Sequence, residues 1–176
     1  MDKDQNIPMI DLARVHRAYR DKLDAATSEV IDSGTYIGGK VLDTFQNRLS
    51  AYLNTKTFGV GNGTDALLIA LMALDIGPGD EVVVPAFTYA ASAEVIALLG
   101  AKAVWCDVCT ETFNLKPNSV ALALSPKTKA IIAVHLYGQL ADIEALEKIV
   151  ADIPIVEDAA QAFGAKFKSG KYQRKY

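Results

Sequence analysis

The feature of this sequence that most constrains its fold is the alternation, from Thr57 onward, of short β-branched runs with helical stretches. The predicted strands are 57–60, 81–85, 103–108, 129–134 and 153–156, and the predicted helices are 64–74, 90–99, 117–124 and 142–151. Such alternation is typical of βα units that build a mostly parallel sheet, so we predict a three-layer α/β/α domain. Because helix 64–74 is apolar almost all round, we expect it to be buried beneath other elements.

The first 54 residues have a different, purely helical pattern. Apolar residues recur at spacings of three and four between Leu12 and Val30, with Asp11 placed to cap this helix and Gly34 placed to end it. A second amphipathic helix follows the glycine pair at 38–39. The sequence therefore predicts an amino-terminal helical arm, residues 1–54, followed by one larger domain, residues 55–176.

Composition and charge exclude several classes of function. The 176 residues are 51% hydrophobic, enough for a folded core, and the net charge of −3 offers no basic field for a nucleic-acid backbone. The longest apolar run, 66–74, is too short to span a bilayer, and residues 1–10 lack the pattern of a signal peptide. We therefore expect a cytoplasmic protein with a small-molecule ligand, and neither nucleic acid nor a membrane as partner.

Two cysteines raise the question of a metal site. Cys106 and Cys109 have a CxxC spacing, but the sequence has no second pair, and His16 and His135 are remote from them in the sequence. A structural zinc ion needs about four protein ligands. We therefore predict two reduced thiols and no metal.

A glycine-rich turn at residues 60–67, VGNGTDAL, is a candidate phosphate site. Glycines let the backbone approach a ligand closely, and the free amides of a first helical turn bind anions. Thr64 adds a hydroxyl, and the amides of Thr64 and Asp65 are expected as a pair of donors. The alternative is a plain tight turn with Thr64 as the N-cap. Dinucleotide and ATP sites fit less well, because the G-x-G-x-x-G pattern that starts at Gly59 has Thr64 in place of its last glycine, and no lysine follows.

An acid and an amide come at the end of the last predicted strand. The segment 153–165, IPIVEDAAQAFGA, places Asp158 at the carboxyl end of the strand and Gln161 three residues later. Open α/β sheets bind ligands at this edge, so Asp158 is a candidate partner for a cationic ring nitrogen, and Gln161 for a ring hydroxyl. The alternative is that Asp158 caps a following helix.

An aromatic residue follows the second predicted strand at the same edge. Tyr89, in the segment PAFTYAAS at 85–92, is placed to stack on a planar ring, although an aromatic here also fits core packing. The phosphate turn, Tyr89 and Asp158 with Gln161 together match a planar, phosphorylated, basic heterocycle. Pyridoxal phosphate (PLP) has these three properties, and we predict it as the cofactor.

Six segments carry a resemblance to a known family. They are IDLARVHRAY at 10–19, SGTYIGGKV at 33–41, NGTDALLIAL at 62–71, GPGDEVVVPAFTYAASAEVI at 77–96, AVHLYGQLADI at 133–143 and IVEDAAQAFGA at 155–165. Over almost its whole length, the sequence resembles the PLP-dependent sugar aminotransferases of the DegT/DnrJ/StrS group. These enzymes have fold type I of the PLP-dependent enzymes, the aspartate-aminotransferase fold. The resemblance implies transfer of an amino group, usually from glutamate, to a nucleotide-linked keto-sugar, by a homodimer that serves cell-surface polysaccharide or sugar-modification biosynthesis.

The resemblance also implies roles for individual residues. The cofactor-binding positions are matched by Gly63, Thr64 and Asp65 for the phosphate, Tyr89 for ring stacking, Asp158 for the pyridine nitrogen and Gln161 for the ring hydroxyl. Tyr36 and His135 match positions near the sugar.

The lysine that forms the Schiff base in the family has no counterpart in this sequence. In the family it follows a Gly-Asp turn and a Phe-rich strand and precedes a small carboxyl-terminal domain, whereas this sequence ends at Tyr176. The lysines from Lys166 onward lack that context, so we assign no catalytic residue. We expect an incomplete large domain that is inactive alone. The alternative is a non-catalytic module that binds PLP or pairs with a full-length subunit.

Overall fold

A computed structural model of the protein describes residues 10–167, and these include a four-stranded sheet. The strands are β1 (Glu81–Pro85), β2 (Lys102–Cys106), β3 (Thr128–Val134) and β4 (Ile155–Asp158). They lie in the order β2-β1-β3-β4, and each neighbouring pair is parallel. The prediction of a mostly parallel α/β sheet is therefore confirmed.

Four of the helices cover the two faces of this sheet. Within the described residues the helices are α1 (Leu12–Ser33), α2 (Gly39–Leu53), α3 (Gly63–Ala73), α4 (Ala91–Leu98), α5 (Pro117–Ala123) and α6 (Ile143–Val150). Side chains alternate between the two faces of a strand. Val82 accordingly packs with α3 and α4 on one face, and Val83 with α5 and α6 on the other. Both are fully buried, which contributes about 1.5–3 kcal/mol each. The sheet and its helices form the three predicted layers.

The predicted strand 57–60 is wrong. This segment belongs to no strand, and the side chains of Phe58 and Val60 are 71% and 42% exposed. The β preference of such residues describes how they fit a pleated, half-buried surface, and this segment has no such surface. The last strand is shifted by two residues from its predicted bounds, 155–158 in place of 153–156, so that Asp158 is its final residue.

Helix α3 is less buried than its composition predicts. Leu67 and Leu71 are buried against the sheet, whereas Ile69 and Met72 are 49% and 58% exposed. A helix next to a sheet packs one face only, so an apolar composition all round leaves apolar residues on the other face. The expectation that this helix lies beneath other elements is therefore wrong for the described residues.

The chain divides into two compact units, with the division between Ser50 and Ala51. In the first unit, the Asp11 side chain accepts the N–H of Arg14 at 2.9 Å and so caps α1. Gly34 ends α1 with φ +64, a left-handed conformation that favours glycine. Both predicted helix ends are thus confirmed, while the predicted domain boundary at 54/55 stays a prediction.

No helix within residues 10–167 is long and apolar enough to cross a membrane.

Candidate functional site

A cavity of about 290 Å³ lies in the second unit, where the carboxyl end of β4 faces the start of α3. Its lining includes five of the predicted cofactor-binding residues, namely Gly63, Thr64, Tyr89, Asp158 and Gln161. The apolar side chains of Leu67, Val134 and Leu136 also line it. Concave, mostly apolar sites with a few polar groups are typical of small-molecule binding. The fold therefore brings together residues that are almost a hundred positions apart in the sequence.

Asp158 is placed at this cavity by the register of the sheet. It is the last residue of β4, opposite Val134 of β3, and its C=O accepts the N–H of His135 at 2.9 Å. Its Oδ1 atom accepts the N–H of Ala160 at 3.1 Å. Residues 160–164 form turns, and no helix follows Asp158 within the described residues, so the alternative role as a helix cap does not apply.

Gln161 is oriented by a single backbone group. Its Oε1 atom accepts the N–H of Tyr137 at 2.8 Å. Because a backbone N–H can only donate, this bond assigns the carboxamide oxygen to Tyr137 and leaves the Nε2 group as the donor end of the side chain. An amide N–H at this cavity suits an acceptor such as a ring hydroxyl oxygen.

The turn before α3 is capped by Asn62, so the alternative with Thr64 as N-cap is wrong. The Asn62 Oδ1 atom accepts the N–H of Asp65 at 2.9 Å, and its Nδ2 atom donates to the Asp65 carboxylate at 3.0 Å. Asp65 does not line the cavity, and its N–H is already donated. Of the expected pair of amide donors, the Asp65 N–H is therefore already occupied. The spacing of Asn62 and Asp65, three residues apart, is the sequence signal of such a cap.

Tyr89 lies on the loop between β1 and α4 and is 74% exposed. The alternative of core packing is therefore wrong. The neighbouring Thr88 hydroxyl lies 3.1 Å from that of Ser92, and the Tyr89 C=O accepts the N–H of Ser92 at 3.1 Å, so both ends of this turn are held. An exposed ring that lines a cavity is available to stack on a planar ligand.

Two further predicted residues do not line the cavity. The His135 side chain is fully buried, with Nδ1 accepting the N–H of Ala141 at 3.0 Å and Nε2 lying 3.2 Å from a Glu157 carboxylate oxygen. Because Nδ1 accepts, Nε2 carries the proton and donates to Glu157. Tyr36 belongs to the first unit and is 70% exposed. The role of these two residues near a sugar stays a prediction.

Neither a metal site nor a lysine is found in this arrangement. Among residues 10–167, no three of His, Cys, Asp and Glu cluster closely enough to hold a metal ion, and Cys106 and Cys109 are free thiols. Within the described part of the chain, no lysine lines the cavity, and Lys166 lines a separate depression. The lysines at 168, 171 and 175 lie outside the described residues.

The sequence matches the DegT/DnrJ/EryC1/StrS aminotransferase family over residues 18–174. The chain belongs to this family. Among curated relatives, the UDP-2-acetamido-2-deoxy-3-oxo-D-glucuronate aminotransferase of Pseudomonas aeruginosa is 47% identical over 165 residues, which are 92% of this chain and 46% of the relative. The chain thus spans about half the length of the curated relatives it matches. The family predicted from the sequence motifs is confirmed.

Solved structures of the family have the same fold. S. venezuelae DesV, solved in complex with a ketimine intermediate, matches 97% of this chain and 46% of its own chain, with a TM-score of 0.88 and 40% identity. NtdA from Bacillus subtilis, solved with the bound cofactor PMP, matches 92% of this chain and 38% of its own, with a TM-score of 0.84 and 32% identity. The predicted type I fold is therefore confirmed for the part of the chain that these structures cover.

Proposed function

We propose that this chain binds PLP in the cavity between β4 and α3 and forms the cofactor-binding part of a nucleotide-sugar aminotransferase. The observation that carries the proposal is the placement of the Asp158 carboxylate, at the end of β4, in one cavity with the first turn of α3. A carboxylate suits a pyridinium nitrogen, and a helix amino terminus suits a phosphate. The PMP bound to NtdA, which is the amino form of the same cofactor, supports this choice.

Five of the lining residues have a role in this proposal. Asp158 holds the pyridine nitrogen protonated, Gln161 donates from Nε2 to the ring hydroxyl oxygen, and Tyr89 stacks on the ring. Gly63 and Thr64 bind the phosphate through the start of α3 and the Thr64 hydroxyl. When bound, PLP supplies an electron sink for a carbanion formed next to it. The chain's own residues thus bind and orient the ring and keep its nitrogen charged.

The fit of the residues to PLP is chemical as well as geometric. The cavity is slightly below the range of about 300–1,000 Å³ that is typical of small-molecule sites, as expected for a small cofactor. Its polar groups include a carboxylate, a carboxamide and the start of a helix. These three kinds of group suit the nitrogen, the hydroxyl and the phosphate of PLP.

The substrate class in this proposal is a nucleotide-linked keto-sugar. It is supported by the P. aeruginosa relative, whose name describes a 3-oxo sugar on UDP, and by a Streptomyces venezuelae relative that is a transaminase of a dTDP-linked amino sugar. Glutamate as donor, a homodimer, a cytoplasmic location and a role in polysaccharide or sugar-modification biosynthesis complete the proposal. Among residues 10–167 no lysine lines the cavity, so we propose that these 176 residues alone bind PLP without turnover.

The experiment is a titration of the chain with PLP, followed by the absorption of the cofactor and by equilibrium dialysis. The wild type is expected to bind, and Asp158→Asn to bind at least about ten-fold more weakly, because a hydrogen bond to a charged group contributes about 1.5–3 kcal/mol. Asn at 158 keeps an oxygen for the Ala160 N–H. Asp152→Asn, at an exposed position after α6, is the matched control and should bind like the wild type. Wild-type affinity of Asp158→Asn would contradict the proposal.

A further inference from the structure

Asn114 is a buried polar residue that lies outside the cavity yet holds the turn beside it. Its side chain is 3% exposed. The Oδ1 atom accepts the N–H of Leu136 at 3.0 Å, and the Nδ2 atom donates to the C=O of Gln139 at 3.0 Å. The two backbone partners assign the oxygen and nitrogen of the carboxamide without ambiguity. Asn114 thus clamps residues 136–139 at both ends.

The clamped turn has a backbone conformation that needs support. Tyr137 has φ +55 and ψ +27, which places a non-glycine residue in the left-handed region. Gly138, next to it, has φ +80. Residues in such conformations persist when the surrounding contacts hold them. Here the support comes from the two hydrogen bonds of Asn114 and from the edge-on packing of the Tyr137 ring on Phe113, with ring centroids 5.9 Å apart.

The 136–139 turn fixes the orientation of the Gln161 side chain. The Tyr137 N–H that donates to Gln161 Oε1 at 2.8 Å lies between the two backbone groups that Asn114 holds. If the turn relaxed, this N–H would leave the Gln161 oxygen, and the carboxamide would be free to rotate. Asn114 therefore acts on the cavity through one defined hydrogen bond.

We propose that Asn114 is a positioning residue for the cofactor: it holds the 136–139 turn so that Gln161 presents its Nε2 donor to the ring hydroxyl oxygen of PLP. The inference rests on the proposed function, since it assigns the orientation of a PLP-binding side chain. It does not make Asn114 a ligand, because its carboxamide is occupied by Leu136 and Gln139.

The test is a double-mutant cycle on PLP affinity, made with the full chain. Asn114→Ala and Gln161→Ala are each expected to weaken PLP binding about five-fold, the loss of one hydrogen bond. The double variant is expected to bind no more weakly than Gln161→Ala alone, because Asn114 acts through Gln161. Asn118→Ala, the same substitution at an exposed position on α5, is the control and should bind like the wild type.

A second variant and a spectroscopic readout separate positioning from a loss of structure. Gly138→Ala disturbs the same turn at an exposed residue, where φ +80 disfavours a side chain, and should also lose its effect in the Gln161→Ala background. In both variants, and in Gln161→Ala, we expect the pH midpoint of the bound cofactor's phenolic absorption to rise, because the donor to the phenolate is lost. If the wild type binds PLP, two results would overturn the inference. One is an additive effect of Asn114→Ala and Gln161→Ala on affinity, and the other is an unchanged pH midpoint of the phenolic absorption. Failure of the wild type to bind PLP would instead overturn the proposed function, and this inference with it.

Discussion

The side chains of Asn62 and Asp65 hold each other across the first turn of α3. The Asn62 Oδ1 atom accepts the Asp65 N–H at 2.9 Å, while the Asn62 Nδ2 atom donates to the Asp65 carboxylate at 3.0 Å. A side chain added at Gly61 would come within 2.6 Å of the same carboxylate. The acid is therefore folded back over the turn that precedes the helix, where it serves the cap and not the cavity.

Asn62→Ala is expected to lower the free energy of unfolding by about 1 kcal/mol, the typical cost of a lost N-cap. Its affinity for PLP should not fall in parallel, because neither Asn62 nor Asp65 lines the cavity. Urea unfolding and PLP titration measure the two quantities. Asn47→Ala, at an exposed position within α2, should not lower stability, because alanine favours the helix. Equal stability of Asn62→Ala and the wild type would refute the capping role.

His135→Leu is expected to destabilise the fold by about 2–4 kcal/mol, because it removes a buried acceptor from the Ala141 N–H and a donor from Glu157. The measurement is urea unfolding, compared with His16→Leu at an exposed position of α1, which should change little. If His135→Leu kept wild-type stability but altered sugar binding, the direct substrate contact predicted from the sequence would stand instead.

The stability contributed by Glu81 should depend on pH. Its carboxylate accepts the Ser125 hydroxyl at 2.6 Å and the Lys102 ammonium at 2.9 Å, and these hydrogen bonds, that of Ser125 first, hold the pKa of Glu81 below its usual range. A pKa that is lower in the folded than in the unfolded chain adds stability above the unfolded value, and this stability is lost as the pH falls through the folded value.

We therefore expect Glu81→Gln to be less stable than the wild type near neutral pH, with a difference that narrows as the carboxylates protonate. Urea unfolding of both proteins, from neutral pH down to the acidic pH at which Glu81 protonates, measures this difference in stability. Glu94→Gln, at an exposed position of α4, is the control. A difference that stays constant with pH would show that the Glu81 charge is not involved.

The two cysteines should differ in reactivity towards iodoacetamide. Hydrogen bonds from the backbone of Glu111 and then Thr112 lower the pKa of the partly exposed Cys109 thiol, whereas burial raises the pKa of Cys106. The thiolate is the reactive form, so Cys109 should be alkylated first. Peptide mass spectrometry of the folded chain resolves the two sites, and Cys109→Ser should remove the fast-labelled one. Faster labelling of Cys106 would contradict the structure.

Local signals predicted the fold well wherever they specify the backbone directly. Asp11 and Gly34 mark the ends of α1 because a cap and a left-handed glycine act within one turn of the chain. The prediction of a strand at 57–60 was wrong because a strand depends on pairing with a neighbour and on a surface to cover. β-branched residues alone provide neither. The predicted burial of helix α3 was wrong because burial also depends on a covering surface. Ile69 and Met72 are apolar, but the sheet covers only one side of the helix.

The sequence predicted five of the residues that line the cavity but not the residue that supports them, and the roles of the five stay predictions. Tyr89 and Gln161 follow strands of the parallel sheet and Asp158 ends one, so the βα order alone places these three residues at one edge. Thr64 follows segment 57–60, which belongs to no strand, so its place at the cavity does not follow from this order. Asn114 could not be found in this way. Its partners Leu136 and Gln139 lie more than twenty residues away, and only the folded chain shows that it reaches them.

The most direct measurement is an experimental structure of this chain with PLP bound. We expect the pyridine nitrogen to lie about 2.7–2.9 Å from an Asp158 carboxylate oxygen, the distance of a charge-assisted hydrogen bond. The phosphate should lie at Gly63 and Thr64, and the ring hydroxyl oxygen at Gln161 Nε2. A cofactor bound elsewhere, or a pyridine nitrogen turned away from Asp158, would contradict the central claim that this carboxylate is the cofactor's partner.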